Sequence, residues 1–155
     1  MIIKGVEYTK EKLASMVDYA ILNPDTQEQQ IREACAIARQ YKFKGVHPNP
    51  YWVPLVAQEL EGTGIETGLV ISFPFGANPT SFKVNEAKEL VKILNKRPGC
   101  IDMVTNIGRL KDKDYDLYTR DIAEVVKVGH DAGIEVKAIL EVAMLTDDEV
   151  KAACE

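Results

Sequence analysis

Short apolar runs rich in β-branched residues alternate with longer amphipathic stretches along the chain. The runs have the length of strands, and the stretches carry apolar residues three and four positions apart, as on one face of a helix. Strands that are buried on both faces read as continuous apolar runs, and helical crossovers between them require parallel pairing. The alternation therefore predicts an α/β protein built on a parallel sheet.

The pattern divides the chain into successive βα units. Strands are predicted at 17–22, 45–49, 65–72, 100–105 and 134–142. Helices are predicted at 9–16, 28–41, 52–60, 82–95 and 115–132. Asp25 or Thr26 is expected to cap the helix that begins at Glu28. Thr146 and Glu149 have the spacing of a capping box, which predicts a further helix.

Two architectures accommodate such units: an open doubly wound sheet and a closed barrel. Five strands and 155 residues suit an open flavodoxin-like sheet that binds a nucleotide, because an eight-unit barrel takes about 250 residues. However, the chain has no Gly-x-Gly-x-x-Gly after the first strand and no Gly-Lys-Ser/Thr, the loops that cradle phosphates. Periodicity alone leaves both architectures open.

Composition narrows the class of protein. Hydrophobic residues make up 46% and charged residues 28%, which is typical of one globular domain spanning residues 1–155. The net charge of −5, without a block of basic residues, argues against nucleic acid as a partner. No apolar run has the length of a membrane span, and the N-terminus does not resemble a signal peptide, so we expect a cytoplasmic protein. The three cysteines are expected to be buried and reduced.

Asp102 and Lys137 each lie inside an apolar strand, where a charge needs a partner. If the fourth and fifth strands are neighbours, the two side chains can face each other. The pair would then be either a coupled acid and base or a structural buried ion pair. A carboxylate beside a desolvated lysine suits Schiff-base chemistry, which the pattern admits but does not require.

Other polar residues are predicted at the carboxyl ends of strands, where parallel βα proteins place their chemistry. They include Asp18 on the first strand, His47 on the second and Asn106 after the fourth. His47 is either a general base or ligand, or a core histidine with satisfied hydrogen bonds. The second histidine, His130, is expected on the outer face of a helix, so no metal site is predicted.

Four motifs, in register over nearly the whole chain, carry a family resemblance. They are Asn49-Pro50-Tyr51-Trp52-Val53-Pro54, Phe73-Pro74-Phe75-Gly76-Ala77-Asn78, Ile101-Asp102-Met103-Val104 with Asn106-Ile107-Gly108, and Val136-Lys137-Ala138-Ile139-Leu140-Glu141. The chain resembles the deoxyribose-phosphate aldolases, which are class I aldolases on a TIM-type (βα) barrel.

The resemblance implies a lyase that reversibly cleaves 2-deoxyribose 5-phosphate to acetaldehyde and glyceraldehyde 3-phosphate through a lysine Schiff base, without a cofactor. Carried over by position, Asp102 relays protons and Lys137 shares its polar network. Asp18, Leu22, His47 and Asn106 are implied to line the substrate site. The partner is then a small phosphorylated sugar or aldehyde.

The chain departs from the family at several positions. The first strand has Asp18-Tyr19-Ala20 where the family has Asp-His-Thr or similar, and His47 replaces a common cysteine. The sixth strand, which carries the Schiff-base lysine, and the phosphate-binding loops after strands seven and eight have no counterpart. We therefore expect the first five βα units of a partial barrel, truncated from a longer parent and inactive alone.

Open edges on the first and fifth strands would favour self-association, so a homo-oligomer is expected. The alternative function is a non-catalytic βα module or scaffold that oligomerises through these edges.

Overall fold

The computed structural model describes residues 2–3 and 6–155, and in this part of the chain a parallel sheet is interleaved with helices. The helices are α1 (Lys10–Ala14), α2 (Glu28–Tyr41), α3 (Val53–Glu59), α4 (Thr80–Leu94), α5 (Ile107–Lys111), α6 (Tyr115–Ala132) and α7 (Asp147–Cys154). Short 3-10 turns at Pro50–Trp52 and Val142–Met144 precede α3 and α7. None of the helices in this part is long and apolar enough to cross a membrane.

The main sheet confirms the predicted parallel arrangement. Its strands are β3 (Asp18–Ile21), β4 (Gly45–Pro48), β5 (Glu66–Ile71), β6 (Gly99–Val104) and β7 (Glu135–Ile139), in that spatial order. The pairings β3–β4, β4–β5 and β6–β7 are parallel. A separate antiparallel pair is formed by β1 (Ile2–Ile3) and β2 (Val6–Glu7).

Several elements differ from the sequence prediction. The β1–β2 pair and α5 were not predicted, because strands of two residues and a helix of five are too short to show a period. Helix α4 begins at Thr80, two residues earlier than predicted. Strand β7 ends at Ile139, and Glu141 beyond it has a left-handed φ of 56° that no strand continues through.

The predicted caps were wrong for α2 and right for α7. Thr26 donates its hydroxyl to the Asn23 carbonyl and so forms a turn, while Gln27 is the N-cap and its N–H donates to Gln30 Oε1 at 2.8 Å. At α7 the capping box forms as predicted between Thr146 and Glu149. The Thr146 N–H donates to the Glu149 carboxylate and lowers its pKa, an effect that Lys111 reinforces.

The chain divides by its contacts into two compact units. The first unit comprises Met1–Leu69 with Ile93–Gly99, and the second comprises Val70–Lys92 with Cys100–Glu155. In the first unit, one face of α2 packs against the sheet and α3. This core contains Ile31, Ala34, Cys35, Ala38, Val46, Val56, Leu60 and Ile65.

The cysteines are all free, as expected, but only two are buried. Cys35 and Cys100 are buried, and burial raises the pKa of the Cys35 thiol to about 11. Cys154 is exposed at the end of α7. The expectation that all three thiols are buried was therefore wrong for Cys154.

In the second unit, α6 packs closely on the segment that leads into β7. Gly129 is buried in α6, and a Cβ at this position would lie 2.4 Å from Val136 Cγ2 and 3.2 Å from the Ile134 carbonyl oxygen. The β-branched valine has few alternative rotamers, so it cannot move aside easily. The glycine sets how near the helix approaches the strand.

We expect Gly129→Ala to lower the free energy of unfolding by up to about 2 kcal/mol, because an overpacking cost of about 1–3 kcal/mol outweighs the gain of about 1 kcal/mol in helix propensity. Denaturant titration of the full chain measures the effect. Gly108→Ala is the matched control, because its Cβ would meet only Asn106 Oδ1, at an ordinary 3.5 Å. Equal unfolding free energies for the two variants would contradict the packing argument.

Candidate active site

Asp18 and His47 come together in the first unit. Parallel pairing sets Asp18 opposite Gly45 and Ala20 opposite His47 on neighbouring strands β3 and β4. His47 Nε2 lies 3.3 Å from Asp18 Oδ1, and the His47 side chain is only 2% exposed against 30% for Asp18. The arrangement can hold the imidazole in a fixed orientation and pass a proton between the two groups.

The His47 imidazole lies in a slot formed by two glycines. A Cβ on Gly68 would lie 2.1 Å from His47 Nδ1, and a Cβ on Gly45 would lie 2.9 Å from Nε2. Both glycines are buried on strands adjacent in the sheet, β5 and β4. A buried histidine at position 47 therefore depends on the absence of side chains at both positions.

Leu22, the expected pocket wall, follows β3 immediately. It lines a cleft of about 500 Å³ with Tyr19, Asn23 and residues of α2, among them Gln30 and Glu33. Asp18 and His47 are not among the residues that line this cleft. Within the first unit, Leu22 therefore lines a cleft that does not include the Asp18–His47 pair.

Asp102 and Lys137 face each other in the second unit, as the sequence predicts for neighbouring strands. Their Cα atoms are direct partners in the β6–β7 register, and Lys137 Nζ lies 3.2 Å from Asp102 Oδ1. The side chains are 35% exposed for Lys137 and 17% for Asp102. Because water reaches the amine, Lys137 is not fully desolvated, and the ion pair that it forms with Asp102 is not completely buried.

Asn106 lies at the end of β6 and is the N-cap of α5. Its side-chain oxygen accepts a hydrogen bond from the Arg109 N–H at 3.2 Å. The residue also lines a cleft of about 620 Å³ together with the start of α4 and one face of α6, including Thr80 and Asp121. The amide oxygen is therefore engaged in capping, which leaves the amide nitrogen for other contacts.

Sequence reasoning missed a buried ionic cluster in the second unit, formed by Lys83, Asp121 and Thr80. Lys83 Nζ donates to Asp121 Oδ2 at 2.6 Å, and the Thr80 hydroxyl donates to Asp121 Oδ1 at 2.8 Å. The helical spacing in the sequence indicates that the Lys83 charge is buried, because Lys83 lies on the same helical stripe as the buried residues Ala87 and Leu90.

Tyr118 is a buried neighbour of Asp121 in this cluster. It lies one turn before Asp121 on the buried face of α6. Burial is the main cause that raises the pKa of its phenol.

Curated relatives and solved structures both identify deoxyribose-phosphate aldolases as similar to this chain. No family model matches the chain. A curated deoxyribose-phosphate aldolase of Clostridium tetani is 42% identical over 144 residues, which are 93% of this chain and 65% of that protein. The deoxyribose-phosphate aldolase of Thermococcus kodakarensis is 43% identical over 148 residues, 94% of this chain and 65% of that protein. The crystal structure of a candidate deoxyribose-phosphate aldolase from Coccidioides immitis superposes with a TM-score of 0.87 at 33% identity, covering 95% of this chain and 56% of that chain.

Over nearly its whole length, the chain is similar to the N-terminal portion of deoxyribose-phosphate aldolases.

The predicted fold class agrees with these deoxyribose-phosphate aldolases. Five parallel strands with alternating helices form an open sheet, as expected for part of a TIM-type barrel. The chain spans 65% of the length of the Clostridium tetani relative. The roles assigned to Asp18, Leu22, His47, Asn106, Asp102 and Lys137 remain predictions.

We expect Gly68→Ala to destabilise the chain by about 1–3 kcal/mol, because the new methyl group collides with the His47 ring. In a His47→Ala background the same change fills vacated space, so its cost falls by about 1 kcal/mol or more. A double-mutant cycle from denaturant unfolding measures this coupling. Additivity of the two changes within about 0.5 kcal/mol would contradict the proposed slot.

Proposed function

We propose that this chain supplies acid–base and substrate-contacting groups to a lyase that reversibly cleaves 2-deoxyribose 5-phosphate to acetaldehyde and glyceraldehyde 3-phosphate. The observation that carries the proposal is the Asp102–Lys137 pair, which lies across two parallel strands in a chain 42% identical to a deoxyribose-phosphate aldolase. Strand ends are where βα-barrel enzymes gather their chemistry.

The reaction needs a proton acceptor near the substrate hydroxyl. In the cleavage direction a lysine amine condenses with the C1 aldehyde of the sugar to form an imine and water. Removal of the C3 hydroxyl proton then breaks the C2–C3 bond, releases glyceraldehyde 3-phosphate and leaves its electron pair in an enamine. Protonation of C2 and hydrolysis of the imine release acetaldehyde and restore the amine.

Asp102 is the residue proposed to move these protons. A carboxylate accepts a proton from a hydroxyl directly or through a water molecule and later returns it. The Lys137 ammonium, 3.2 Å away, holds the carboxylate in a charge-assisted contact and so fixes its direction. Lys137 is thus proposed as a helper in the same network and not as the nucleophile, which the family resemblance assigns to a sixth strand.

The Asp18–His47 pair is proposed to contact the substrate. Asp18, whose side chain is 30% exposed, can accept a hydrogen bond from a sugar hydroxyl, and the buried His47 imidazole, at a position where the family commonly has a thiol, takes part through Asp18. Leu22, as an apolar wall, and Asn106, as an amide donor, are proposed substrate contacts on the family resemblance alone, since each lines a cleft of its own unit. The proposed ligand is a small phosphorylated sugar or aldehyde.

Self-association and a cytoplasmic setting complete the proposal. Strands β3 and β7 form the edges of the main sheet described, and unpaired edges readily pair with another chain. The apolar residues Val142 and Met144, which follow β7, are 59% and 60% exposed. Three free cysteines are typical of a reducing compartment.

We expect no specific trapping of acetaldehyde on Lys137 when the 155-residue chain is treated with borohydride, because its amine is held by Asp102. Peptide mass spectrometry locates any added ethyl group. Lys127, an exposed lysine paired with Asp131 at 2.7 Å, gives the background level of labelling. Ethylation of Lys137 well above that of Lys127 would make Lys137 the nucleophile and overturn its assignment as a helper.

We expect catalysis from a chimera in which this chain is joined to the part of the Clostridium tetani protein beyond its match. Asp102→Asn should lower kcat in the chimera by about 10²–10⁴-fold, because the amide cannot accept the proton. Asp116→Asn, at an exposed position of α6, is the matched control and should keep full activity. Release of glyceraldehyde 3-phosphate provides the assay.

Two outcomes of the chimera experiment would contradict the proposal. One is undiminished kcat after Asp102→Asn. The other is a chimera that folds, as judged by circular dichroism and thermal melting, but cleaves no substrate. The second result would favour the non-catalytic scaffold.

A further inference from the structure

A single turn of α4 is bonded to the ends of two strands in the second unit. Lys83 Nζ donates to the carbonyl of Val104, the last residue of β6, at 3.0 Å. Glu86 Oε2 accepts the N–H of Ser72, the residue that follows β5, at 2.9 Å. Lys83 and Glu86 are three positions apart and therefore neighbours on one helix face.

Burial of the Lys83 side chain costs desolvation free energy, because its charge is removed from water. Its side chain is 0% exposed, and its charge is balanced by Asp121, whose side chain is 4% exposed. Apolar residues of similar volume often replace a buried ion pair without loss of stability, so the pair is weak evidence for a stabilising role. An apolar side chain could fill the space, but it could not donate a hydrogen bond to the Val104 carbonyl.

The hydrogen bonds at both strand ends satisfy main-chain groups that leave the regular ladder. Ser72 has a left-handed φ of 54°, so the chain turns away from the strand at this residue. Its N–H is accepted by Glu86, and its carbonyl accepts the Gly76 N–H at 2.8 Å. At the end of β6, Lys83 donates a hydrogen bond to the carbonyl of Val104, which lies two residues after Asp102.

We propose that Lys83, supported by Asp121 and Thr80, is a positioning residue that fixes the end of β6 and thereby holds the Asp102 carboxylate in contact with Lys137. Glu86 likewise fixes the end of β5 by accepting the N–H of Ser72. The inference rests on the proposed function for its catalytic consequence, but the geometric consequence can be measured without it.

The competing interpretation is a core ion pair that contributes only to stability. The two interpretations differ in what happens to Lys137. If Lys83 positions β6, its loss must loosen the Asp102–Lys137 contact and change the reactivity of the Lys137 amine. If the pair only stabilises the core, a folded variant keeps that contact unchanged.

The first experiment uses the 155-residue chain and does not depend on catalysis. Competitive acetylation with acetic anhydride, followed by peptide mass spectrometry, measures the labelling rate of Lys137 under native conditions. Lys83→Met removes the donor and keeps most of the volume, and we expect it to raise the Lys137 rate about fivefold, toward the rate in Asp102→Asn, a change that corresponds to about 1 kcal/mol. Lys88→Met, at an exposed position of the same helix, should leave the rate unchanged.

If Lys83→Met does not fold, the milder variant Thr80→Val tests the same positioning role. It removes only the hydroxyl that donates to Asp121 and should give a smaller increase in Lys137 labelling. A Lys137 rate equal to that of the unchanged chain in a folded Lys83→Met or Thr80→Val variant, with only the unfolding midpoint lowered, would overturn the proposal in favour of a core ion pair.

The second experiment repeats Lys83→Met in the active chimera. A positioning role predicts a kcat lowered about tenfold or more with KM changed less than twofold, because the acid–base group is displaced while binding groups stay in place. An unchanged kcat would contradict it. Failure of the chimera itself would count against the proposed function, whereas the labelling experiment alone would still decide the positioning role.

Discussion

The register of the parallel strands is the constraint on which the candidate chemistry depends. Side chains alternate between the faces of a strand, so a shift of one residue would turn Asp102 away from Lys137 and Asp18 away from His47. In the register observed, Asp102 is directly opposite Lys137, and Asp18 is opposite the glycine that makes room for the His47 ring. Main-chain pairing therefore brings the two side chains of each polar pair within reach of each other.

The regular elements could be predicted because they are long and strongly periodic. The five main strands follow from apolar runs, helices α2, α3, α4 and α6 from helical stripes, and α7 from its capping box. Asp102 and Lys137 could be identified as charges inside apolar strands. Short elements such as α5 could not be predicted, since five residues show no period. The α2 cap was misassigned because Thr26, a good capping residue, bonds to Asn23 and leaves the cap to Gln27.

Other contacts between distant segments were not predicted, for a different reason. The Asp18–His47 contact requires strands β3 and β4 to be adjacent, which a strand list alone does not state. The dependence of His47 on Gly68 required knowledge of which glycine lies against the ring. Lys83 could have been noticed as a charge on a buried stripe, but its partner is 38 positions away along the chain, so no local pattern identified it.

The two lysine–aspartate pairs of the second unit differ in solvent exposure, and this difference suits one pair to a structural role and the other to proton transfer. The Lys83 and Asp121 side chains are only 0% and 4% exposed, and each is also hydrogen-bonded, Lys83 to the Val104 carbonyl and Asp121 to the Thr80 hydroxyl, which restricts proton exchange with water. Lys137 and Asp102 keep 35% and 17% of their side-chain surface exposed, which allows exchange with water or a bound sugar. A group that must gain and lose protons needs such access, whereas a group that must hold a strand end benefits from its absence. The exposed pair is therefore the one suited to proton transfer, and the buried pair is suited to holding the strand end beside it.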